Sequence, residues 1–280
     1  KKAEVLQAAN PLAQFGANEF ADMSAAEFKS YHNGNEHFRR AKLAPRDEMK
    51  IPVEQRLQAV GKKIDWREKG AVTPVKNQGQ CGSCWSFSTT GNIEGQWFLA
   101  GNTLTSLSEQ ELVSCDTIDS GCNGGLMDNA FTWLIQNRGG KIVTEASLPY
   151  NSGSGVAPSC PSNLDSLTVG AKISGYKDVE KTEDAMAAAC YAEGPVAIAL
   201  DATSFQTYSS GILTNCISQQ IDHGVLIVGY DDTNVPPYWI IKNSWGASWG
   251  ENGYIRVAKG TNQCLITSYA TTAVVGSKQQ

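Results

Sequence analysis

The chain has 280 residues, of which 41% are hydrophobic and 18% are charged, and its formal net charge is −5. This length is enough to bury one large core, or two cores with a cleft between them. The acidic balance and the lack of a basic run argue against a nucleic-acid partner, and no apolar stretch reaches the ~18 residues that a membrane-spanning helix needs.

Eight cysteines are scattered along the chain, at positions 81, 84, 115, 122, 160, 190, 216 and 264. Wide scatter is typical of disulfides formed in an oxidising compartment, whereas metal sites use tight ligand pairs. Lys1 and Lys2 run directly into an alanine-rich helical segment, without the apolar core of a signal peptide. We therefore expect the natural N-terminus to lie upstream.

Residues 1–61 contain none of the cysteines or tryptophans and carry nine basic against eight acidic residues, a net of +1. The remainder carries fourteen against twenty, a net of −6, so the arm can complement the body in charge. Ser24 and Glu27 have the spacing of a capping box, which predicts a helix from about Ala25 that carries Phe28. Residues 41–63 are polar and are predicted to form an extended linker.

The compact body is predicted to begin at Ile64. Its first helix should start at or just before Cys84, where a glycine-punctuated turn ends. Ile93 and Trp97 lie four residues apart and would share the buried face of that helix.

Two further helices are predicted in the first half of the body. Ser108 and Glu111 form another capping box, and the short helix that follows should end near Cys115. A tight turn over 121–125 precedes a helix over 126–137, which Gly139 and Gly140 should end.

A loop rich in Gly, Ser and Pro is predicted over about 151–162, and most of the chain after it is predicted to be strand, interrupted by one helix over about 182–191. The predicted strands are 195–201, 223–232, 237–245 and 253–260. A helical half followed by a β half, without regular βαβ alternation, indicates an α+β fold with two subdomains. The helical part covers about 75–165 and the β-rich part about 166–270, and catalytic groups are expected in the groove between them.

Cys84 is the residue around which functional alternatives arise. A thiol in the first turn of a helix lies beside unpaired N–H groups and the positive end of the helix dipole, which favour the thiolate. A thiolate suits a nucleophile, a metal ligand or a redox pair with Cys81. A thioredoxin-type pair would need an early βαβ setting, and zinc would need a second ligand cluster. Both cysteines could also be structural.

A nucleophile also needs a base and a group that orients the base. His223, the one histidine after residue 61, begins a predicted strand, and Asn243 ends another. A lone histidine or asparagine is more often structural than catalytic. The combination of Cys84, His223 and Asn243 is what favours nucleophilic catalysis.

The motif Cys81-Gly82-Ser83-Cys84-Trp85 is followed by His223 and Asn243, 139 and 159 residues after Cys84. In these features the chain resembles the papain family of cysteine peptidases, whose signature is C-G-[SA]-C-[WY] with a distant His and Asn. The resemblance spans about 64–275 and includes KNQGQCGSCW, GCNGG, DHGV, KNSWG and WGENGYIR. The segments TEASLPY, DATSF and KGTNQCL are most similar to the trypanosomatid cathepsin L-like cruzipain and congopain group.

The resemblance implies a papain-like fold and a role for each matched residue. Cys84 would attack the peptide carbonyl, and His223 would pair with its thiolate and protonate the leaving amine. Asn243 would orient the imidazole, with Trp245 shielding their hydrogen bond. Gln78 and the Cys84 N–H would form the oxyanion hole.

The resemblance also implies substrate contacts and disulfides. The substrate-binding residues would be Gly82, Gly124, Gly125, Leu126, Met127, Ala199, Ile221, Asp222, Trp245 and Tyr269. The S2 pocket lined by residues 126, 127, 199 and 221, with Tyr269 at its far end, is apolar, so we expect a preference for Leu at P2. The implied disulfides are Cys81–Cys122, Cys115–Cys160 and Cys216–Cys264. Cys190 is then left over and should be a buried, inert thiol.

The element Gly16-x-Asn18-x-Phe20-x-Asp22 is similar to the G-x-N-x-F-x-D motif of cathepsin L-like propeptides. Residues 1–61 would then be a truncated inhibitory prosegment, released at acidic pH and cut between about Leu57 and Lys63. Residues 62–280 would be the peptidase domain.

The implied activity is that of a lysosomal, endosomal or secreted cysteine endopeptidase. Its partners would be protein or peptide substrates, its own prosegment and cystatin-type inhibitors, with no cofactor, metal, nucleic acid or membrane. An inactive papain-like binding protein and a CxxC disulfide oxidoreductase are the alternatives.

Overall fold

A computed structural model describes residues 2–31, 38, 48–218 and 220–276. The helices in these residues are α1 (Lys2–Ala9), α2 (Ala25–Tyr31), α3 (Val53–Ala59), α4 (Cys84–Leu99), α5 (Glu109–Cys115), α6 (Met127–Arg138) and α7 (Glu183–Glu193). Short 3-10 turns cover Gly121–Asn123, Ser152–Ser154, Leu164–Ser166, Thr203–Phe205 and Gln263–Ser268.

The strands are β1 (Ala13–Phe15), β2 (Glu48–Met49), β3 (Lys63–Asp65), β4 (Lys141–Val143), β5 (Val169–Lys172), β6 (Gly175–Val179), β7 (Val196–Leu200), β8 (Tyr208–Leu213), β9 (His223–Asp231), β10 (Tyr238–Lys242), β11 (Tyr254–Ala258) and β12 (Tyr269–Val274). The main sheet has the order β1-β8-β11-β10-β9-β7-β12-β6-β2, with β3 also paired to β9, and β4 pairs with β5 separately. The predicted α+β fold, with helices first and strands later, is confirmed.

The N-terminal arm supplies the outer strand at both edges of the main sheet. Strand β1 pairs with β8, Ala13 lying opposite Gly211, and β2 pairs with β6, Glu48 lying opposite Asp178. Exposed strand edges offer unpaired N–H and C=O groups. The arm therefore covers two edges that the body alone would leave open.

The prediction of an extended linker over 41–63 is wrong for its second half. Residues 53–59 form α3, which packs on α7, and Tyr230 donates a hydrogen bond to the Ala59 carbonyl at 2.8 Å. Pro52 at the N-cap is compatible with a helix start, and buried Ala59 ties the helix to the body. The linker residues 41–47 lie outside the described part of the chain.

The predicted helix starts and stops are confirmed by their hydrogen bonds. Ser24 and Glu27 form a reciprocal capping box, with each side chain accepting from the other's backbone N–H. Ser108 and Thr182 cap α5 and α7. Helix α6 ends on Gly139, whose φ of 59° is the left-handed conformation that glycine adopts without strain.

Helix α4 is the central element between the helical half and the sheet. Its first twelve residues, 84–95, are all buried. One face packs on α6, and another on β7, β9 and β12. Gly224 on β9 permits this approach, because a Cβ there would lie 3.3 Å from the Trp85 backbone. The first turn of α4 is thereby placed against the first residues of β9.

None of the described helices is long and apolar enough to cross a bilayer.

Candidate active site

The Cys84 sulfur lies where α4 and β9 begin. It is completely buried, and the backbone N–H of Gly224 donates to Sγ at 3.3 Å. Since Gly224 directly follows His223, the structure brings the two residues together across the junction of the two halves. Cys81 is bonded to Cys122, so Cys84 is not in a disulfide. A redox pair between Cys81 and Cys84 is thereby contradicted.

The His223 ring is held from two sides. Nε2 lies 2.7 Å from Asn243 Oδ1, and the ring stacks on Trp245 at 4.8 Å between centroids. Asn243 Oδ1 also accepts from the Ser244 N–H at 2.9 Å. All of these side chains are buried. The strand ends β9 and β10 therefore fix both the position and the plane of the imidazole.

The electrostatic environment of Cys84 differs from the expectation for a thiol at a helix start. Burial raises its pKa to about 12, although hydrogen bonds from the N–H groups of Gly224, Trp85 and Cys84 lower it. The negative charge of Asp222 acts in the same direction as burial. Burial therefore outweighs the hydrogen bonds from these N–H groups, because the sulfur has no exposure to water.

Gln78 is buried, and its amide has three partners. Nε2 donates to the Cys81 carbonyl at 2.9 Å and to the Tyr31 carbonyl at 3.2 Å, and Oε1 accepts from Ser244 Oγ at 2.7 Å. The Tyr31 carbonyl belongs to the N-terminal arm. The amide N–H predicted to stabilise an oxyanion is thus already bonded to the arm.

The turn that follows Cys122 lies beside the first turn of α4. Gly124 has a φ of 112°, and Trp85 Nε1 donates to the Gly121 carbonyl at 3.1 Å. Gly82 N–H donates to the Cys122 carbonyl at 2.9 Å. The backbone of this turn is therefore attached to Trp85 in the first turn of α4 and to Gly82 just before that helix.

The residues predicted to line the S2 pocket share one apolar cluster: Leu126, Met127, Ala199, Ile221 and Tyr269. Phe38 of the arm is in the same cluster, its ring 6.0 Å from that of Tyr269 in an edge-on arrangement. The Tyr269 hydroxyl donates to the Asp128 carboxylate and accepts from the Asp128 N–H at 3.3 Å. Asp222 is not part of this apolar cluster, and its Oδ1 accepts a hydrogen bond from the Ala202 N–H at 2.8 Å.

The arm contacts the site through an aromatic group. Phe20 and Phe28 lie 5.2 and 5.4 Å from Trp245, and Tyr31 packs on Phe20 at 4.9 Å. Asn18 of the G-x-N-x-F-x-D element donates to the Gln206 carbonyl at 2.8 Å. The motif seen in the sequence therefore places its phenylalanine on the tryptophan beside His223.

The three implied disulfides, Cys81–Cys122, Cys115–Cys160 and Cys216–Cys264, are formed. Cys190 is unbonded and completely buried on α7.

A buried ionic cluster lies behind the site. Lys76 Nζ is 2.7 Å from Glu109 and 3.3 Å from Glu94, and Lys242, directly before Asn243, donates to Thr73 at 3.0 Å. The two lysines and two glutamates of this cluster border a cavity of about 20 Å³, room for about one water molecule. The cluster joins α4 and α5 to β10.

Sequence reasoning missed several of these contacts. Phe38, the Tyr31 carbonyl and Asp128 have no local motif that marks them. Their partners Tyr269 and Gln78 lie between 47 and 231 residues away. The ionic cluster could have been suspected from the charges inside otherwise apolar segments, such as Lys242 in YWIIKN.

Comparisons with known proteins agree with this geometry. The model of the family described as papain family cysteine protease matches residues 60–274. A cysteine proteinase of Trypanosoma brucei brucei is 57% identical over 277 residues, covering 99% of this chain and 60% of the relative. Cathepsin L of Sarcophaga peregrina is 46% identical, covering 92% of this chain and 78% of the relative.

Solved proenzyme structures are also similar. Digestive procathepsin L 3 of Tenebrio molitor has a TM-score of 0.78 at 38% identity, covering 94% of this chain and 83% of that one. A recombinant stem bromelain precursor has a TM-score of 0.85 at 32% identity, covering 98% and 88%. The chain spans about three fifths of the length of the trypanosomatid relatives that it matches at 56–57% identity. The chain belongs to the papain family of cysteine proteases.

Proposed function

We propose that the chain is the proform of a cathepsin L-like cysteine endopeptidase, with an inhibitory prosegment over residues 1–61 and a peptidase domain over 62–280. The observation that carries the proposal is the unbonded Cys84 sulfur beside the Gly224 N–H, next to a His223 held by Asn243 at 2.7 Å. This is the set of groups that a thiol nucleophile, its base and its orienting residue require.

In the proposed reaction, Cys84 Sγ bonds to the substrate carbonyl carbon and His223 protonates the departing amine, which leaves an acyl-enzyme. Water, deprotonated by His223, then attacks the acyl carbon and releases the thiol. A protonated His223 beside the sulfur would favour the thiolate and oppose the effect of burial. The Gln78 amide and the Cys84 N–H would receive the developing oxyanion.

The prosegment blocks this chemistry by occupying the groups that substrate needs. The Tyr31 carbonyl takes the Gln78 donor, and Phe38 lies against Tyr269 in the apolar pocket. Two solved structures that resemble this chain are named as a procathepsin and a bromelain precursor, which supports the proposal that residues 1–61 are an inhibitory prosegment.

Loss of carboxylate charge at acid pH would weaken the attachment of the prosegment. Glu48 pairs with Lys181 at 3.1 Å and Arg56 pairs with Glu180 at 2.5 Å, and all four side chains are partly exposed. Such pairs are individually weak, so release would need several to be lost together. The helix cap formed by Glu27 is less sensitive to acid, because hydrogen bonds from Ser24 lower the pKa of Glu27. Maturation would cut between Leu57 and Lys63, where α3 ends.

The pocket supports a preference for Leu or another bulky apolar residue at P2. Gly124 and Gly125 leave the backbone of the turn open to pair with an extended substrate. Gly82 and Asp222 flank the nucleophile and the base. Lysosomal, endosomal or secreted location and binding by cystatin-type inhibitors are part of the proposal, because they follow from the likeness to cathepsin L.

The test is hydrolysis of a fluorogenic Leu-Arg dipeptide by the full chain before and after acid treatment. We expect activity to appear on acid treatment, and we expect one equivalent of an E-64-type epoxide to label Cys84 and abolish it. Cys84→Ala should be inactive and unlabelled. A chain that is folded, acid-treated and inactive toward peptides would instead be a binding protein.

A further inference from the structure

Two aspartates lie directly behind the turn 121–126. Asp116 follows α5, and its Oδ1 accepts from the N–H groups of Ile118 at 2.8 Å and Asp119 at 3.2 Å. Asp119 and Asp116 are 9% and 8% exposed. The disulfides of Cys115 and Cys122 bracket this loop, so the two carboxyls cannot separate by a large movement of the backbone.

Asp119 holds the end of the turn that leads into the pocket. Its Oδ1 accepts from the Leu126 N–H at 3.1 Å and from Asn129 Nδ2 at 2.9 Å. Gly125 is wedged between Asp119 and Trp85, because a Cβ there would lie 2.7 Å from the Asp119 carboxyl carbon and 2.6 Å from the indole. A displacement of the Asp119 carboxyl toward Gly125, or one that keeps its bond to the Leu126 N–H, therefore moves the backbone of the turn.

The second carboxyl oxygens of Asp116 and Asp119 are buried without a hydrogen-bond donor in the part of the chain that the structure describes. Among the described residues, neither Asp116 Oδ2 nor Asp119 Oδ2 has a hydrogen-bond partner, and the bond from the Asp119 N–H to Asp116 Oδ1 at 3.2 Å keeps the two residues adjacent. Two like charges cannot both be stable side by side in a buried site. One proton shared by the pair removes the repulsion and supplies the missing donor.

We propose that Asp119 is a positioning residue for substrate binding, and that the proton it shares with Asp116 keeps the backbone of Gly124, Gly125 and Leu126 in the form that pairs with substrate. Loss of that proton leaves two buried carboxylates that repel each other, and the turn shifts away from its binding form. The inference rests on the proposed peptidase function and deepens it, because it adds a residue that controls affinity for substrate.

The direction of the pH dependence follows from the surroundings of Asp119. Burial and the charge of Asp116 raise the pKa of Asp119 to about 8. The described groups that face the carboxyl from other elements, the Asn129 amide on α6 and the Leu126 N–H of the turn, are neutral. Asp116 is the titratable group that faces it. The shared proton is therefore retained under acidic conditions and lost above about pH 8.

The expected effect on the KM is large enough to measure. If only the protonated pair binds substrate, the apparent KM rises once the pH passes the raised pKa of the pair, and the rise approaches about tenfold for each further pH unit.

The experiment measures KM and kcat for the Leu-Arg dipeptide from pH 5.5 to 9, using initial rates of the acid-treated chain. Asp119→Asn keeps an oxygen for Leu126 and gains an N–H for Asp116, so we expect its KM to stay within about twofold over this range. Asp116→Asn should flatten the profile equally, and the double variant should add nothing. Asp184→Asn, at an exposed position on α7, should keep the profile of the unaltered chain.

A second measurement does not depend on activity. Between the ordinary aspartate pKa near 4 and about 8, the folded state binds the shared proton more tightly than the unfolded state. Stability from the pair is therefore greatest at low pH and is lost as pH rises to about 8. The melting temperature of the intact chain should fall more between pH 5 and 8.5 than that of Asp119→Asn.

The outcomes separate the two proposals. Steeper KM and melting profiles in the unaltered chain than in both Asn variants support the positioning role. Parallel melting profiles of the unaltered chain and the Asn variants overturn it. A difference in melting without a difference in KM also overturns it, because protonation of the pair would then have no effect on the backbone that binds substrate. If the unaltered chain has no peptidase activity, the proposed function is wrong, but the melting measurement still tests the shared proton.

Discussion

At the residue scale, Tyr269 would close the far end of the P2 pocket that we propose. Its ring is 1% exposed, and its hydroxyl is tied to Asp128 at the start of α6. A tyrosine in this place offers an apolar face and no charge to a P2 side chain. A P2 arginine would leave its guanidinium buried without a partner, which is costly.

Changing Tyr269 should therefore change P2 selectivity. We expect the acid-treated chain to cleave a Leu-Arg reporter at least about tenfold faster than an Arg-Arg reporter, the range that pocket fit supplies. Tyr269→Glu should narrow or reverse this ratio, because a carboxylate would pair with the P2 arginine. The measurement is kcat/KM for both reporters.

Tyr269→Gln is the matched control, since it has nearly the shape of glutamate without the charge, and it should not favour Arg-Arg. Equal rates on the two reporters in the unaltered chain would show that residues 126, 127, 199, 221 and 269 do not form the P2 pocket.

At the element scale, α2 is the part of the prosegment that lies over the site. Its capping box fixes where the helix begins, and one turn later Phe28 lies 5.4 Å from Trp245 and 5.5 Å from Phe20. The helix ends at Tyr31, whose carbonyl reaches Gln78. Local capping and aromatic packing together therefore place one carbonyl on the amide that substrate would use.

Shortening Phe28 should release this element. Phe28 is 2% exposed, and truncating a buried phenylalanine to alanine costs about 3–5 kcal/mol. Part of that lost free energy weakens the packing of α2 on the peptidase domain. Phe28→Ala should therefore hydrolyse the Leu-Arg reporter at neutral pH without acid treatment, at least about tenfold faster than the unaltered chain. Val5→Ala on α1, where Val5 is 60% exposed, should stay latent. Unchanged latency of Phe28→Ala would contradict a role for α2 in inhibition.

At the scale of the whole molecule, the buried ionic cluster connects the helical half to the sheet. Lys76 bonds to Glu94 on α4 and Glu109 on α5, and the Glu94 carboxylate accepts from Thr73, which in turn bonds Lys242 on β10. Burial raises the pKa of Glu109 to about 7, although Lys76 lowers it. Lys76 is therefore a cation that stabilises the buried carboxylates of Glu94 and Glu109.

Removing Lys76 should destabilise the fold in a pH-dependent way. Breaking a buried ion pair from one side costs about 3–5 kcal/mol, and Lys76→Met should unfold at lower denaturant concentration at neutral pH. The raised pKa of Glu109 means that this group contributes stability at low pH, which is lost as pH rises toward about 7. Without Lys76 that loss grows, so the difference from the unaltered chain should be larger at pH 8 than at pH 5.

Lys141→Met, at an exposed position on β4, is the control and should change the midpoint little at either pH. A pH-independent difference for Lys76→Met would mean that lost packing of its stem, rather than charge, accounts for the effect.

The sequence by itself determined most of the local elements and supplied the candidate residues of the site. Capping boxes at Ser24 and Ser108, glycine at 139 and alternating apolar strands are patterns that act between neighbours, so they specify helices and strands wherever the chain lies. The C-G-S-C-W motif with His223 and Asn243 identified the family by resemblance, without any contact being known.

Only the tertiary structure decided which groups meet and with what electrostatic result. The helix over 53–59 forms where the sequence predicts a linker, because packing on α7 outweighs weak local preference. The bond from Gln78 to the Tyr31 carbonyl and the packing of Phe38 beside Tyr269 join residues without a shared local pattern. Burial, which no short sequence pattern reports, raises the pKa of Cys84 despite its place at a helix start.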